Sequence, residues 1–461
     1  MSSIEKLPVA VVGGGLVGSL LALVLRKRGY DVSLFERRGS LQEIEEQAGR
    51  SINLVVTRRG IDALERVGLG EAVLEFTVPV TGRMMHDRDG ELAYQPYGRD
   101  DKECNYSVSR AGLNAFLIRQ ALERGIDVRF DMRLAEADLD SGRLRFDNTD
   151  GETTVEAETI FGADGVASAV RKAFEARDDF QLSIDMLSHG YKELYLPPAE
   201  DGGYRVERNA LHIWPRGHFM MMALPNTDGS FTGTLYMPNQ GKDSFGQYAD
   251  ADAVRELFRR EFADSIPLMP EYVEDYLQNP TGELGTVRCA PWHHEDRVLL
   301  LGDASHGIVP FFGQGMNSGF EDCSVLGDLL DQHGRGEWGS VFAEMSRRRK
   351  PNCDAIADLA LENFVEMSDK VGDDAFLLRK AVEHRIEVAM PELYRSRYSM
   401  VMYSTIPFRD AFDAGVVQRE ILDELCADID DAEQVDLEHA RRLIDARLTP
   451  FLATRNISFD Y

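Results

Sequence analysis

Hydrophobic and polar positions along the chain change pattern in a few places, and each change predicts an element. Pro8-Val-Ala-Val-Val12 is a short unbroken apolar run, as expected of a strand buried on both faces. Residues 16 to 28 follow with helical composition, and Asp31-Val-Ser-Leu-Phe35 returns to a strand pattern. Strand, helix and strand in that order form a βαβ unit, which predicts an α/β fold of Rossmann-like type. Residues 127 to 129 and 143 to 162 carry strand-like alternation, and Arg297-Val-Leu-Leu-Leu301 reads as another short buried strand ending at Gly302. Between about 180 and 285 the texture is different. Residues 212 to 214, 219 to 224 and 230 to 237 are β-rich and are broken by the turn signals Pro-Arg-Gly and Asn-Thr-Asp-Gly. That pattern predicts a largely antiparallel sheet inserted in the α/β unit. From about 318 onward the sequence is mostly helical, and no internal repeat or low-complexity segment is evident.

A chain of 461 residues is too long for one small core and suggests two or three structural units. At 43% hydrophobic and 28% charged, its composition is that of a soluble globular protein. The apolar stretch from Pro8 to Leu25 lacks a basic flank and is interrupted by glycines, so it is not read as a signal peptide. No other run approaches the ~20 apolar residues of a membrane helix. A soluble, cytoplasmic protein with no membrane partner is the expectation. Five scattered cysteines without a C-x-x-C predict neither a disulfide framework nor a zinc site. The net charge of −28 argues against nucleic-acid binding, which needs a basic footprint. The acids are spread along the chain, which fits either a solvated surface or adaptation to high salt.

Three separated segments carry the candidate chemistry: V-V-G-G-G-L-V-G at 11 to 18, G-A-D-G-V-A-S-A-V-R at 162 to 171, and G-D-A-S-H-G-I-V-P-F-F-G-Q-G-M-N at 302 to 317. Gly13, Gly15 and Gly18 fit G-x-G-x-x-G between a strand and a helix. The first makes the tight turn, the second lets a pyrophosphate approach the backbone, and the third lets the helix pack on the sheet. Glu36 ends the next strand, 18 residues after Gly18, placed to accept from a ribose 2′-hydroxyl. A carboxylate there disfavours a 2′-phosphate, so this motif points to FAD or NAD, although Arg37 and Arg38 blur that distinction. His306 invites a catalytic reading, but a structural role is favoured. The His293-His294 pair lacks metal-ligand partners at useful spacing, and no metal site is predicted.

The three segments together resemble the fingerprints of the FAD-dependent aromatic-ring hydroxylases, the family typified by p-hydroxybenzoate hydroxylase. The resemblance implies noncovalent FAD, with Asp164 and Gly165 near its pyrophosphate and also serving NAD(P)H. It implies Asp303 on the ribityl chain. It also implies a helix beginning near Gly313 to Asn317, including Gly315 and Met316, with its N-terminus aimed at the flavin. Val17, Arg37, Val55, Arg110 and Leu134 match further FAD-contacting positions. Within that family, R-S-I-N-L (50 to 54), G-R-M-M-H (82 to 86), Q-P-Y-G-R-D-D (95 to 101), H-G-Y-K-E-L (189 to 194), L-H-I-W-P (211 to 215) and E-N-F-V-E-M (362 to 367) resemble the kynurenine 3-monooxygenases, to about residue 410. Residues 411 to 461 offer no membrane anchor of the kind eukaryotic members carry, so a bacterial-type enzyme is implied.

This closer resemblance implies 3-hydroxylation of L-kynurenine with O2 and NADPH as co-substrates, through a flavin C4a-hydroperoxide and without a protein nucleophile. It assigns Arg83, Tyr97, Asn363 and Tyr398 to the substrate carboxylate, a set whose guanidinium fork suits that group. Glu366 would meet the substrate ammonium or orient Arg83. Asn363, Glu366 and Met367 share a helical face. Phe312, Leu211, Met222, Leu224 and Tyr236 would surround the ring, whereas Met220 and Met221 read as core. Taken singly, Arg83 reads as a surface arginine. The implied domains are a discontinuous FAD-binding domain (1–75, 105–178 and 285–330), a substrate domain (76–104 and 179–284) and a C-terminal helical region (331–461). A homodimer is compatible with the sequence, which does not fix the oligomeric state. Alternatives are hydroxylation of another anthranilate-like or phenolic ring, and a non-oxygenating flavoprotein reductase.

Overall fold

The computed structural model describes residues 4–46, 52–100, 102–366 and 374–459. Its first layer is a sheet built on the Glu5–Val12 strand. The helix Leu16–Lys27 returns the chain to the Val32–Phe35 strand, which pairs in parallel with Glu5–Val12. On the other side of Glu5–Val12 lies the parallel strand Gly151–Gly162, and beyond it the parallel strand Val298–Leu300. The three apolar strands that precede the motif segments are thus neighbours with one direction. Gly13, Ala163 and Gly302 therefore emerge side by side at their carboxyl ends, where open α/β sheets bind ligands.

A second sheet has seven strands, in the order Gly282–Ala290, Gln181–Leu196, Phe231–Pro238, Met220–Pro225, Ala210–Pro215, Gly82–His86 and Leu92–Pro96. All its pairings are antiparallel except Ala210–Pro215 with Gly82–His86. Strand alternation gives the sheet two faces. Met221, Ala223, Leu235 and Met237 pack with Val254, Leu257 and Tyr276 of the helices Ala251–Glu261 and Tyr272–Gln278. Met222, Leu224, Thr234 and Tyr236 point the other way, into a cavity. A small third sheet pairs Asn105–Ser109 with Asn53–Val56 and Val78–Val80.

The C-terminal part is helical, including Gly315–His333, Trp338–Val365, Asp374–Ala389, Arg397–Met402 and Phe408–Leu425. One apolar core joins Ile213, Met220 and Tyr236 of the second sheet to Ile356, Leu359, Met400 and Phe408 of these helices. Met220 lies in this core and Met221 in the core on the sheet's other face, so both are packing residues. No helix among the described residues is long and apolar enough to cross a membrane.

Candidate active site

The glycine-rich turn is dictated by close backbone approaches. Gly13 has φ +105°, and a Cβ there would lie 2.4 Å from Ala163 O. A Cβ on Gly18 would lie 1.9 Å from Gly13 O, so the helix rests on the turn only because that atom is missing. Gly15 is different: a Cβ there meets no protein atom within 4 Å, because the residue borders a cavity of about 460 Å³. Val17, Val55, Arg110, Gly165, Asp303, Gly315 and Met316 line the same cavity. Asp303 has no protein hydrogen bond or ion pair among the described residues and is open to that space.

Other residues singled out in the sequence play different parts. Glu36 is buried; its Oε1 accepts from the backbone N–H and Nε of Arg38 at 2.8 and 2.7 Å. No hydrogen bond among the described residues falls on its Oε2, which stays available. Arg37 is exposed. Leu134 does not border the cavity; it lies on the strand Arg133–Asp138, which leaves the Glu36 turn after Met132 N–H donates to Glu36 O at 2.9 Å. Asp164 spends its carboxylate on protein: Ser168 Oγ donates to Oδ1, and the Ala169 and Val170 N–H groups donate to Oδ2 at 2.7 and 3.1 Å. It caps a short helix and leaves Gly165 at the wall. Asn317 likewise accepts from Thr57 N–H at 3.0 Å and donates to Val55 O at 2.8 Å, clamping the Asn53–Val56 strand to the start of the Gly315–His333 helix. His306 is buried and bonded to Asp322, a structural position rather than one on the cavity wall.

At the other end of the cavity stands Arg83, on the Gly82–His86 strand. His86 anchors this strand through Asp264 and His212, each at 2.8 Å, and burial pushes the His212 imidazole down to about 4. The Arg83 guanidinium lies 5.3 Å from the Tyr97 ring centre and 5.6 Å from that of Tyr398. These two rings stack at 5.3 Å. Burial opposes the charge on Arg83, and its hydrogen bonds to Tyr97 and Tyr398 act against that. Burial raises the pKa of both phenols against the pull of Arg83, so they remain neutral donors. Among the described residues no carboxylate pairs with Arg83. A buried cation without a counter-charge costs several kcal/mol, and here the open side is the cavity.

Leu211, Met222, Leu224, Tyr236 and Phe312 complete an apolar wall around that end. Asn363 also borders it, with Nδ2 donating to Phe311 O at 2.5 Å. Glu366 does not: it borders a second, outer cavity of about 510 Å³ and lies 3.8 Å from Arg397. Arg83, Tyr97, Phe312, Asn363 and Tyr398 border both cavities and so form the partition between them. Met367 lies outside the described residues. Sequence reasoning missed Asn105, whose Nδ2 donates to the Tyr398 hydroxyl at 3.2 Å, and Tyr191 and Met402 on the wall. Tyr191 stands within the H-G-Y-K-E-L motif, a usable signal; Asn105 and Met402 have none.

The walls suit a bound dinucleotide. The helices Leu16–Lys27 and Gly315–His333 both begin at the cavity, and neither has a side-chain cap or an acid in its first turn. Their free N–H groups and positive dipole ends favour negative charge. Gly15 leaves a cradle that a side chain would fill.

Comparison with known proteins agrees with this geometry. The FAD binding domain family model matches residues 6–359. The chain is 48% identical over 455 residues to the kynurenine 3-monooxygenase of Myxococcus xanthus, covering 98% of each chain. It is 42% identical over 442 residues to that of Stenotrophomonas maltophilia, covering 95% of this chain and 97% of the relative. Among solved structures, the tetrameric form of 2-methyl-3-hydroxypyridine-5-carboxylic acid oxygenase matches with a TM-score of 0.65 at 20% identity, over 85% of this chain and 99% of that one. That last likeness concerns the fold alone.

Proposed function

The chain belongs to the kynurenine 3-monooxygenase family of FAD-dependent monooxygenases, and from that premise we propose that it hydroxylates L-kynurenine at ring carbon 3, consuming O2 and NADPH. The observation that carries the substrate is Arg83: a half-buried guanidinium between two neutral phenols, with no carboxylate from the described chain, at the apolar end of the cavity. An α-amino acid with an aromatic ring supplies both missing parts. Its carboxylate pairs with Arg83, with Tyr97 and Tyr398 donating, and its ring lies among Leu211, Met222, Leu224, Tyr236 and Phe312.

Noncovalently bound FAD, reduced by NADPH, supplies the activation of O2. Gly15 and the start of the Leu16–Lys27 helix would hold the pyrophosphate. Glu36 would hold the adenosine ribose through Oε2, with Leu134 on the adjoining strand. Asp303 would meet the ribityl hydroxyls, and the start of the Gly315–His333 helix would stabilise the negative charge of reduced flavin. Val17, Val55, Arg110, Gly165 and Met316 complete that part of the wall. Asp164 and Asn317 act by shaping the turns beside it. The Asn363 amide holds the Phe311 carbonyl and thereby the neighbouring Phe312 ring, which helps to exclude water from the reacting end. Glu366 acts at the outer cavity. We retain the three-part domain division for this arrangement.

The experiment is a ligand titration of the holoprotein followed by flavin absorbance. L-kynurenine perturbs the spectrum and accelerates NADPH oxidation, whereas its decarboxylated analogue does neither at the same concentration. Equal binding of the two would remove Arg83 from substrate recognition and with it the basis of the assignment.

A further inference from the structure

Behind the cavity wall runs a chain of charges, all buried but the partly exposed Glu321, that touches neither cavity. Arg59 is fully buried; its NH1 donates to Glu321 Oε1 at 2.5 Å, and its guanidinium lies 3.9 Å over the Phe408 ring. Glu321 Oε2 accepts from Arg349. Arg349 Nε donates to Asp322 Oδ1 at 2.7 Å. Asp322 Oδ2 accepts from His306 Nε2 at 2.6 Å and from the backbone N–H of Gly302 at 3.0 Å. The His306 ring stacks on Trp292 with centres 5.1 Å apart.

Asp322 therefore grips both ends of the segment 302–306. Between those ends Asp303 opens to the cofactor cavity, and Gly307 to Pro310 continue its wall. His306 is one residue behind that wall. Burial works against a charge on His306, but the fields of Cys353 and Asp322 outweigh it and raise its pKa well above the ordinary value. The adjacent Asp322 is held down at about 2, its burial more than offset by His306 and Arg349. His306, Asp322 and Cys353 also bring a nitrogen, an oxygen and a sulfur within 4.8 Å of one another. Arg349 already occupies the other Asp322 oxygen and lies 3.5 Å from Cys353 Sγ, so this cluster has its cation without a metal.

We propose that His306 is a positioning residue carrying a resident positive charge, seated by Asp322 behind the FAD wall, and that this charge favours reduced, anionic flavin over the oxidised form. Charges in a poorly polarisable interior act over longer distances than at the surface. The proposal rests on the FAD site and not on the identity of the substrate.

The test is the equilibrium reduction potential of the holoprotein, measured against a redox dye for the wild type and His306→Gln. Glutamine keeps a donor for Asp322 and removes the charge. The variant is expected to retain FAD while its preference for the reduced form falls about tenfold, ~30 mV for a two-electron couple. A FAD-loaded His306→Gln protein with the wild-type potential would overturn the proposal. A companion variant, Asp322→Asn, places an amide N–H₂ against one of the three donors now facing the carboxylate. It is expected to weaken FAD binding to the apoprotein by about tenfold or more. Unchanged affinity in a folded Asp322→Asn protein would show that the segment is not seated this way. If that variant does not fold, nitrogen-15-labelled histidine in the wild-type protein tests the charge itself. His306 must resonate as an imidazolium at neutral pH, and a neutral ring there rejects the idea.

Discussion

Arg83 borders the cavity with no carboxylate of the described residues beside it, and the proposed pairing sets the cost of removing it. Taking away one member of a buried, hydrogen-bonded charge pair costs roughly 2–5 kcal/mol, which is about 30-fold to a few thousand-fold in affinity. Arg83→Met is expected to lose kynurenine binding by that factor while keeping FAD, since Arg83 lies apart from the three glycine-bearing segments; flavin absorbance on titration measures both. Tyr398→Phe removes a neutral hydroxyl and the acceptor for Asn105, so a loss of ~1 kcal/mol or a little more is expected. The identity of Arg83 was legible from its G-R-M-M-H setting, but its lack of a carboxylate was not, because a counter-charge can come from any point along the chain. Asp164 and Glu366 show the same limit. Both carboxylates were visible in sequence, yet one is turned onto its own helix and the other onto Arg397.

At the scale of elements, the glycine-rich turn separates cofactor binding from folding. A Gly15 side chain meets only open cavity, so Gly15→Val is expected to fold with near-normal stability and fail to retain FAD. Gly18→Ala drives its Cβ into Gly13 O, so the expected loss there is of stability, with a lower melting temperature even in the apoprotein. Flavin content and thermal melting of the two purified variants check both statements; a yellow Gly15→Val protein would contradict the first. The βαβ unit and the later strands were readable because their apolar runs are short and bounded by glycine or turn residues. Two features were not. Alternation identifies Ala210–Pro215 as a strand but does not name its neighbour, so its parallel pairing with Gly82–His86, which puts Leu211 beside Arg83, emerged only in three dimensions. The helices Ala251–Glu261 and Tyr272–Gln278 were overshadowed by the β-rich segments before them.

Across the whole molecule, acids outnumber basic residues 79 to 51. Many arginines already sit among several acids, as Arg145 does with Glu136, Asp147 and Glu152. Such exposed pairs contribute about 0–1 kcal/mol each and weaken in salt, whereas the unpaired excess repels itself and is relieved by salt as the Debye length falls from ~10 Å at 0.1 M to ~3 Å at 1 M. The excess is expected to win, so the melting temperature should rise with KCl toward molar concentration; a flat or falling curve would mean the acids are balanced locally. The change from a sheet built on parallel strands to a largely antiparallel one was readable from texture along the chain. The way their cavity faces meet was not, since one core draws on both the second sheet and the C-terminal helices. Whether this assembly transfers one atom of O2 to the kynurenine ring is read from turnover of L-kynurenine with NADPH under oxygen-18 gas, with mass and ring position of the product determined. The expected result is 3-hydroxykynurenine bearing one oxygen-18, formed in proportion to NADPH consumed. NADPH consumption that yields only hydrogen peroxide, or a product without the label, would contradict it.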